Sequence, residues 1–314
     1  MAVILGLDGG GTKTAVKVWH TEEGCIKKFT LGTSNINQLG SEKFIQLIKR
    51  IGKELENLKL ESDIAILGIP AYGESIKMDK IIEDAILTHI NSKTIKIYND
   101  VEVGHFGSLA CEDGINVVSG TGSIAIGIYN EKSIRCGGWG EIIGDEGSGY
   151  KIGLATLQTL SKQLDKRNNK TILYELLSDE YDLGSMSNLI DFVYSNENNR
   201  TKIASLSRIT YKAAEYGCKQ SQEILQYAAL DLVEHVTTIV KELGIQNKYI
   251  SVSYSGGTFN AKNYFLTTFI NEINKISNIK LIKPILSPIE GTILKGYKVL
   301  NVPIDDISVI REEI

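Results

Sequence analysis

Two glycine-rich turns, each set between apolar strand patterns, dominate this sequence. In the first, LDGGGTKT, an apolar run beginning at Ala2 ends at Leu7, and Thr14–Trp19 then alternates apolar and polar residues. The second turn, SGTGS, lies within Gly114–Gly127 between INVV and IAIGI. The same plan therefore returns after about 110 residues, which favours two similarly built domains. Two unrelated hairpins with glycine turns would show the same pattern, so the repeat alone leaves that alternative open.

The first turn contains the residue types of a nucleotide-binding P-loop in a different spacing. A P-loop needs its lysine directly after the last glycine and a helix after the loop. Here Thr12 separates Gly11 from Lys13, and a strand pattern follows. We therefore expect a β-hairpin whose glycine amides approach phosphate oxygens, with one further bond from the Thr12 hydroxyl. Asp8 then follows a strand, where a carboxylate suits the water shell of Mg²⁺.

The remaining periodicity predicts an α/β protein. Apolar spacing of three and four predicts a helix over Glu42–Leu58, and the segment from about Leu154 to Leu243 is mostly helical in pattern. Three strands followed by alternating helices and strands predict a mixed sheet covered by helices. The other predicted elements are strands over Cys25–Leu31, Ile64–Ile69, Thr94–Tyr98, Tyr249–Tyr254 and Ile279–Ile282, and helices over Met78–Ile90, Val101–Ala110, Lys262–Ile276 and Ile289–Leu300.

The restart of the pattern places a domain boundary near residue 112. We expect a smaller domain over 1–112 and a larger one over 113–314 with a helical insertion, its final helix, about 289–300, lying near the hinge. The chain length of 314 residues is comfortable for two domains of ordinary size.

Composition excludes several classes of protein. A net charge of −4 argues against non-specific nucleic-acid binding, and no apolar stretch approaches the length of a membrane span. The four cysteines are scattered without a C-x-x-C pair, which disfavours a zinc or iron–sulfur site and suits a reducing compartment. With no recognisable signal peptide, we expect a soluble cytoplasmic protein.

Four motifs together carry a resemblance to a known family. In order they are DGGGTKT, SGTGS, the segment CGGWGEIIGDEGSGY that starts at Cys136, and a late SGG turn at Ser255–Gly257. The chain resembles the N-acetylglucosamine kinase and BadF/BcrA-type ATPase group of the sugar kinase/hsp70/actin superfamily over nearly its whole length. This resemblance implies two ribonuclease-H-like domains around an interdomain cleft, with ATP and substrate meeting at its base.

The resemblance also implies roles for individual residues. Asp100 matches the catalytic aspartate that accepts a proton from the sugar, although an aspartate opening a helix is also an ordinary N-cap. Asn35 matches a sugar-binding asparagine, although a turn asparagine would look the same locally. The other implied sugar contacts are Ser123, Gly138, Trp139, Gly140 and Asp145.

Nucleotide contacts follow in the same way. We expect the two hairpins to grip phosphates, Ala214 to lie on the adenine side, and the late glycine turn to lie against the adenosine. The full implied set is Gly9, Gly10, Gly11, Thr12, Lys13, Gly120, Thr121, Gly122, Ala214, Gly256 and Gly257, with Asp8 holding Mg²⁺ through water. Within the first turn, we expect Lys13 to matter least.

The implied activity is transfer of the γ-phosphoryl group of ATP to the 6-hydroxyl of N-acetylglucosamine, N-acetylmuramic acid or both, in salvage of cell-wall sugars. A homodimer is also implied. Three alternatives stay open at this point: a kinase for glucosamine, glucose or another small molecule, an ATPase activator of a 2-hydroxyacyl-CoA dehydratase type, and a non-catalytic sugar sensor. The activators carry a cysteine-ligated cluster, which four scattered cysteines do not provide.

Overall fold

A computed structural model describes residues 1–194 and 199–311, which divide into two compact units. The first unit is Met1–Glu112 together with the chain from Pro284 onward, and the second is Asp113–Lys283. The division inferred from the sequence placed the final helix in the second domain. In the structure, Ile293 and Leu294 of that helix pack in one apolar cluster with Ile4 of the first strand, so the helix belongs to the first unit.

The first unit is built on a five-stranded sheet of order β3-β2-β1-β4-β5. Strands β1, β2 and β3 pair antiparallel, and β1, β4 and β5 run parallel. The strands are β1 Val3–Gly9, β2 Lys13–His20, β3 Gly24–Gly32, β4 Ser62–Ile69 and β5 Ser92–Asn99. The helices are α1 Ile36–Leu39, α2 Ser41–Asn57, α3 Ile76–His89, α4 Asp100–Ser108 and, at the end of the chain, α12 Pro288–Val299.

Helices cover both faces of this sheet because its strands are apolar on both sides. The buried face of α2, including Phe44, Ile48 and Ile51, packs with Leu5 and Leu7 of β1. On β1, side chains alternate between faces, so Ile4 joins the separate cluster that contains α12. Because helices cover both faces, polar side chains that could bind a ligand collect at the carboxyl ends of the parallel strands.

The second unit repeats the topology of the first. Its sheet has the order β10-β9-β6-β7-β8, with β6, β7 and β8 antiparallel and β6, β9 and β10 parallel. The strands are β6 Gly114–Ser119, β7 Ser123–Tyr129, β8 Lys132–Gly137, β9 Ile250–Ser255 and β10 Ile279–Ile282. The helices are α5 Gly149–Leu164, α6 Ile172–Tyr181, α7 Met186–Tyr194, α8 Asn199–Ser205, α9 Ser207–Glu215, α10 Lys219–Glu242 and α11 Thr267–Ile273. Two sheets of the same strand order confirm the repeat predicted from the glycine turns.

One predicted helix is interrupted. The sequence pattern predicts a continuous helix over Lys262–Ile276, but the regular helix α11 begins only at Thr267. Asn263 and Tyr264 leave helical geometry, and Tyr264 has a φ of +64°. Gln222 of α10 donates to the Tyr264 hydroxyl at 3.0 Å. This hydrogen bond joins residues that are far apart in the chain, so the local apolar periodicity could not predict it.

Helix α1 and strand β8 are further elements that the sequence reading did not single out. Among the residues described, no helix is both long and apolar enough to cross a membrane.

Candidate functional site

The first glycine turn is a β-hairpin between β1 and β2, as predicted. A Cβ atom on Gly9 would lie 2.3 Å from the Ser34 hydroxyl oxygen and 2.7 Å from the Gly68 carbonyl, so only glycine fits there. The Thr33 hydroxyl donates to the Gly10 carbonyl at 2.9 Å, which ties the next loop to the turn. Beyond this anchored base, the tip of the turn is exposed over Gly11, Thr12 and Lys13. The tip of the hairpin is therefore open to solvent.

Asn35 lies in that neighbouring loop and caps a helix. Its carboxamide oxygen accepts from the backbone N–H of Asn37 at 2.9 Å at the start of α1. Asn35 therefore caps α1 through its side-chain oxygen, as the turn-capping interpretation predicted.

Asp8 is the penultimate residue of β1, and Asp100 directly follows β5, a parallel strand of the same sheet. In the strand register Asp8 pairs with Gly68 of β4, Gly68 pairs with Tyr98 of β5, and Asp100 follows two residues after Tyr98. Burial and the Asp100 carboxylate, opposed by Lys13, raise the pKa of Asp8 to about 7. The buried Asp8 carboxylate and the Asp100 carboxylate lie at the same end of the sheet, and this concentration of negative charge favours a bound cation.

Asp100 does not cap its helix. The N-cap of α4 is Asn99, whose carboxamide oxygen accepts from the Val101 N–H at 3.1 Å. The Glu102 carboxylate in turn accepts from the Asn99 N–H at 2.9 Å, which completes a capping box. Asp100 therefore occupies the first turn without serving as the cap, and the capping alternative for this residue is wrong. Asparagine three positions before glutamate was the local signal that sequence reasoning missed.

The second glycine turn joins β6 to β7 and is held by the N-terminus of α5. The backbone N–H of Gly149 donates to the Gly120 carbonyl at 2.8 Å, and that of Tyr150 donates to the Thr121 carbonyl at 3.2 Å. Ser123 is buried, and its hydroxyl donates to the Glu146 carbonyl at 2.5 Å. In this structure Ser123 thus fastens the loop before α5 to the hairpin.

The late glycine turn lies against the second hairpin. Gly256 has a φ of +107°, and a Cβ atom there would lie only 2.1 Å from the Ser119 carbonyl oxygen. The Thr258 hydroxyl also contacts Ser119. The positive φ and the close Ser119 carbonyl each require a glycine at position 256. The structure therefore brings these two predicted nucleotide motifs together in the second unit.

Two cavities adjoin at these motifs, with volumes of about 330 and 500 Å³. They share Ser207, Arg208, Gly257, Thr258 and Asn260 as lining residues. The larger cavity reaches the phosphate-type hairpin at Gly120 and Thr121. The smaller one is lined on its other side by apolar or aromatic residues, namely Ile152, Tyr211, Leu225 and Ala261. A largely apolar cavity that reaches a glycine hairpin at one end suits a ligand with a charged end and a flat ring.

Ala214 does not line either cavity. It is fully buried in the core between α9 and α10, and its carbonyl accepts from Gln222. Ser207, Arg208 and Tyr211, which precede it on α9, face the cavities instead. Ala214 shares α9 with these lining residues, but the packing of α9 on α10 places its side chain beneath the cavity lining.

The loop between β8 and α5 carries an exposed aromatic side chain. Trp139 is 70% exposed and lies between Gly138 and Gly140, which have φ values of +72° and +83°. The guanidinium carbon of Arg135 lies 5.5 Å from the centre of the indole ring, and Arg135 also donates to the Gly138 carbonyl. Arg135 thus fixes a ring that stays accessible to a ligand.

Asp145, on the same loop, is bound to an arginine that no sequence motif indicated. Asp145 is 3% exposed with a φ of +59°, and its Oδ2 lies 2.6 Å from Nη2 of Arg200 on α8. A Cβ atom on Gly122 would lie 2.6 Å from that nitrogen and 2.9 Å from Asp145 Oδ2. The ion pair therefore lies directly against the second hairpin. Arg200 is 55 residues away in the chain, and no local pattern marks it.

His235 supports the same loop from below. It is buried on α10, and a Cβ atom on Gly137 would lie 2.5 Å from its Cε1. Burial lowers the pKa of His235 below its ordinary value, against the opposing charges of Glu146 and Glu234. The His235 ring leaves no space for a side chain at position 137, and it supports the loop by packing beneath it.

Comparison with known proteins gives consistent matches over most of the chain. The sequence model of the BadF/BadG/BcrA/BcrD ATPase family matches residues 5–296. An N-acetylmuramic acid/N-acetylglucosamine kinase of Clostridium acetobutylicum is 37% identical over 87% of this chain and 91% of the relative. An N-acetyl-D-glucosamine kinase of Dictyostelium discoideum is 28% identical over 83% and 86%. The crystal structure of a candidate N-acetylglucosamine kinase from Chromobacterium violaceum has a TM-score of 0.71 at 20% identity, over 94% of this chain and 98% of that one. This last likeness concerns the fold alone.

Proposed function

The chain belongs to the BadF/BadG/BcrA/BcrD ATPase family, and on this premise we propose that it is an ATP-dependent amino-sugar kinase. It transfers the γ-phosphoryl group of ATP to the 6-hydroxyl of N-acetylglucosamine, N-acetylmuramic acid or both. The observation that carries this assignment is the 37% identity, over 87% of the chain, to a kinase of those two sugars. The ATPase-activator alternative is not favoured by these relatives.

The two cavities of the second unit are the proposed nucleotide site. Gly120 and Thr121 of the hairpin and the N–H groups around Gly257 would contact the phosphates. The smaller chamber, with Tyr211 and Ile152, would hold the adenine ring, which needs an apolar slot with a few polar groups at its rim. The exposed turn of Gly9–Lys13 in the first unit is the second proposed phosphate contact.

The residues around Asp8 fit a magnesium ion held through water. Within residues 1–194 and 199–311, no group of three or more histidine, cysteine or acidic side chains could hold a metal ion unaided. A single carboxylate of raised pKa beside Asp100 suits Mg²⁺ that keeps most of its waters and takes its other ligands from phosphate. When bound with the nucleotide, Mg²⁺ would neutralise part of the charge of its phosphates.

Asp100 is the proposed general base. Because Asn99 caps α4, the Asp100 carboxylate is not committed to capping and can accept the proton of the sugar's 6-hydroxyl. Phosphoryl transfer depends mostly on positioning, so the sugar contacts matter as much as the base. The proposed contacts are Asn35 through its carboxamide nitrogen, Ser123, the backbone of Gly138 and Gly140, the ring of Trp139 and the carboxylate of Asp145.

A phosphoryl-transfer assay tests the activity. The purified chain is incubated with ATP and Mg²⁺ and, in separate reactions, with N-acetylglucosamine, N-acetylmuramic acid, glucosamine, glucose or no sugar. We expect sugar 6-phosphate with an acetylated amino sugar and little ATP hydrolysis without sugar. Sugar-independent ATP hydrolysis that yields no phosphorylated sugar would refute the kinase assignment and favour the activator alternative.

We also propose a cytoplasmic homodimer. Four free cysteines suit a reducing compartment, and the family resemblance supports the dimer. Light scattering coupled to gel filtration measures the mass directly, and a monomer at working concentration would contradict this part.

A further inference from the structure

Arg200, Asp145 and Glu141 form an ionic cluster beside the second glycine turn. Nη2 of Arg200 lies 2.6 Å from Oδ2 of Asp145, and its Nε lies 3.4 Å from Oε2 of Glu141. The two carboxylates differ in environment, because the Asp145 side chain is 4% exposed and the Glu141 side chain is 37% exposed. Asp145 is thus the close, buried partner of the guanidinium. Glu141 is a longer, hydrated contact of the kind that stabilises weakly.

Arg200 presents a fixed and accessible cation at this place. Its side chain is 42% exposed even though the Asp145 contact holds it against Gly122. A guanidinium carries five N–H donors in a planar fork, so one carboxylate does not use all of them. The Glu141 contact demonstrates that a second carboxylate fits beside the first.

We infer that Arg200 recognises a carboxylate on the sugar substrate, the lactyl carboxylate at the 3-position of N-acetylmuramic acid, which replaces Glu141 on the guanidinium. The inference rests on the proposed function, because it takes the sugar to bind beside Asp145. N-acetylglucosamine has no anionic group for this cation. Arg200 is therefore the residue that favours the acidic sugar over the neutral one.

The exchange of carboxylates is electrostatically balanced. The cluster now contains one guanidinium and two carboxylates, and it contains the same charges after the sugar carboxylate has taken the place of Glu141. Glu141 then returns to water at little cost, because its side chain is already partly hydrated. The planar guanidinium of Arg200 also suits this role better than a lysine, which would offer a point charge without paired donors.

The test compares three sugars with the full-length enzyme at saturating ATP and Mg²⁺. They are N-acetylmuramic acid, its lactyl methyl ester and N-acetylglucosamine, and kcat/KM is measured for each. The ester keeps the bulk of the substituent and removes its charge. We expect the parent to prefer the acid to the ester about tenfold or more, since a charged hydrogen-bonded pair is lost with the ester.

Two substitutions should move this preference in opposite directions. Arg200→Gln should abolish the preference for acid over ester. It should also lower kcat/KM for all three sugars, because Asp145 loses its partner, so the ratio is the readout. Glu141→Gln should raise the ratio several-fold by removing the competing carboxylate. Arg208→Gln is the matched control, because Arg208 lines the proposed nucleotide cavities; it should raise KM for ATP and leave the acid-to-ester ratio unchanged.

Each failure has a separate meaning. An unchanged ratio in Arg200→Gln, or a parent that phosphorylates N-acetylglucosamine but does not prefer the acid to the ester, overturns the role of Arg200 and leaves the kinase assignment intact. An unchanged ratio in Glu141→Gln overturns the exchange of carboxylates. A parent that phosphorylates none of the three sugars overturns the proposed function itself.

Discussion

Asn99 and Asp100 are neighbours whose proposed roles are separable by substitution. Asn99 contributes two observed hydrogen bonds, from the Val101 N–H to its oxygen at 3.1 Å and from its nitrogen to the Tyr72 carbonyl at 2.8 Å. Loss of an asparagine cap costs about 0.5–2 kcal/mol. We therefore expect Asn99→Ala to lower the free energy of unfolding by about 1–2 kcal/mol and kcat by less than about tenfold.

Asp100→Asn should instead lower kcat strongly and leave the free energy of unfolding nearly unchanged. Removal of a general base lowers turnover by about 10²–10⁴-fold. The fold should change little, because the capping box of α4 does not use the Asp100 side chain and a carboxylate in a first helical turn contributes only about 0.3–1 kcal/mol. The variant should also still bind ATP and sugar, since the binding groups are intact.

Three measurements distinguish these outcomes. Sugar-phosphate formation gives kcat and KM, urea denaturation gives the free energy of unfolding, and calorimetry gives the affinity for sugar. If Asp100→Asn retains kcat within about tenfold of the parent, the assignment of the base is wrong. If instead it destabilises the chain as much as Asn99→Ala does, Asp100 has a structural role that the cap geometry does not predict.

Further predictions concern the packing around the proposed site. Gly256→Ala should lower Tm, because the added methyl would lie 2.1 Å from the last carbonyl of β6, whereas Gly257→Ala, whose methyl meets no atom within 4 Å, should leave Tm unchanged; equal Tm values for both would contradict the packing. His235 has a pKa below its ordinary 6.5, so the unfolded chain binds more protons near that pH, and the free energy of unfolding should decrease as pH falls below about 6.5. Denaturation from pH 5 to 8 should show a weaker dependence in His235→Gln, and an identical one would refute the desolvation of this side chain. Tyr297→Phe removes the hydroxyl that accepts from the Trp19 indole at 3.0 Å, so we expect a loss of about 1–3 kcal/mol of unfolding free energy, and a loss below about 0.3 kcal/mol would show that the indole finds another partner.

Local patterns predicted most of the secondary structure. Two local signals distinguished the hairpin at Gly9–Lys13 from a P-loop. Thr12 stands where a P-loop has its lysine, and apolar and polar residues alternate in the strand that follows. Strand β10 lies at Ile279–Ile282 as predicted, and most other boundaries differ by one or two residues. The repeat of the pattern favoured two similarly built domains, and the two sheets of one strand order confirm it.

The site was less accessible to the same reasoning. Motif matching named Asp145 without its partner, because the spacing between Asp145 and Arg200 carries no periodic signal. It also chose Ala214, whose position depends on how α9 packs against α10. The capping box at Asn99 is a different case, since its signal was local and was overlooked.

The sequence by itself thus determined the glycine hairpins and the succession of strands along the chain, because glycine conformation and side-chain alternation are properties of a few adjacent residues. Only the tertiary structure decided that α12 packs on the first sheet, that Ala214 is core, and that Arg200 holds Asp145 against Gly122. Those outcomes depend on contacts between residues far apart in the chain. Their energies come from burial and ion pairing, which no short stretch of sequence encodes.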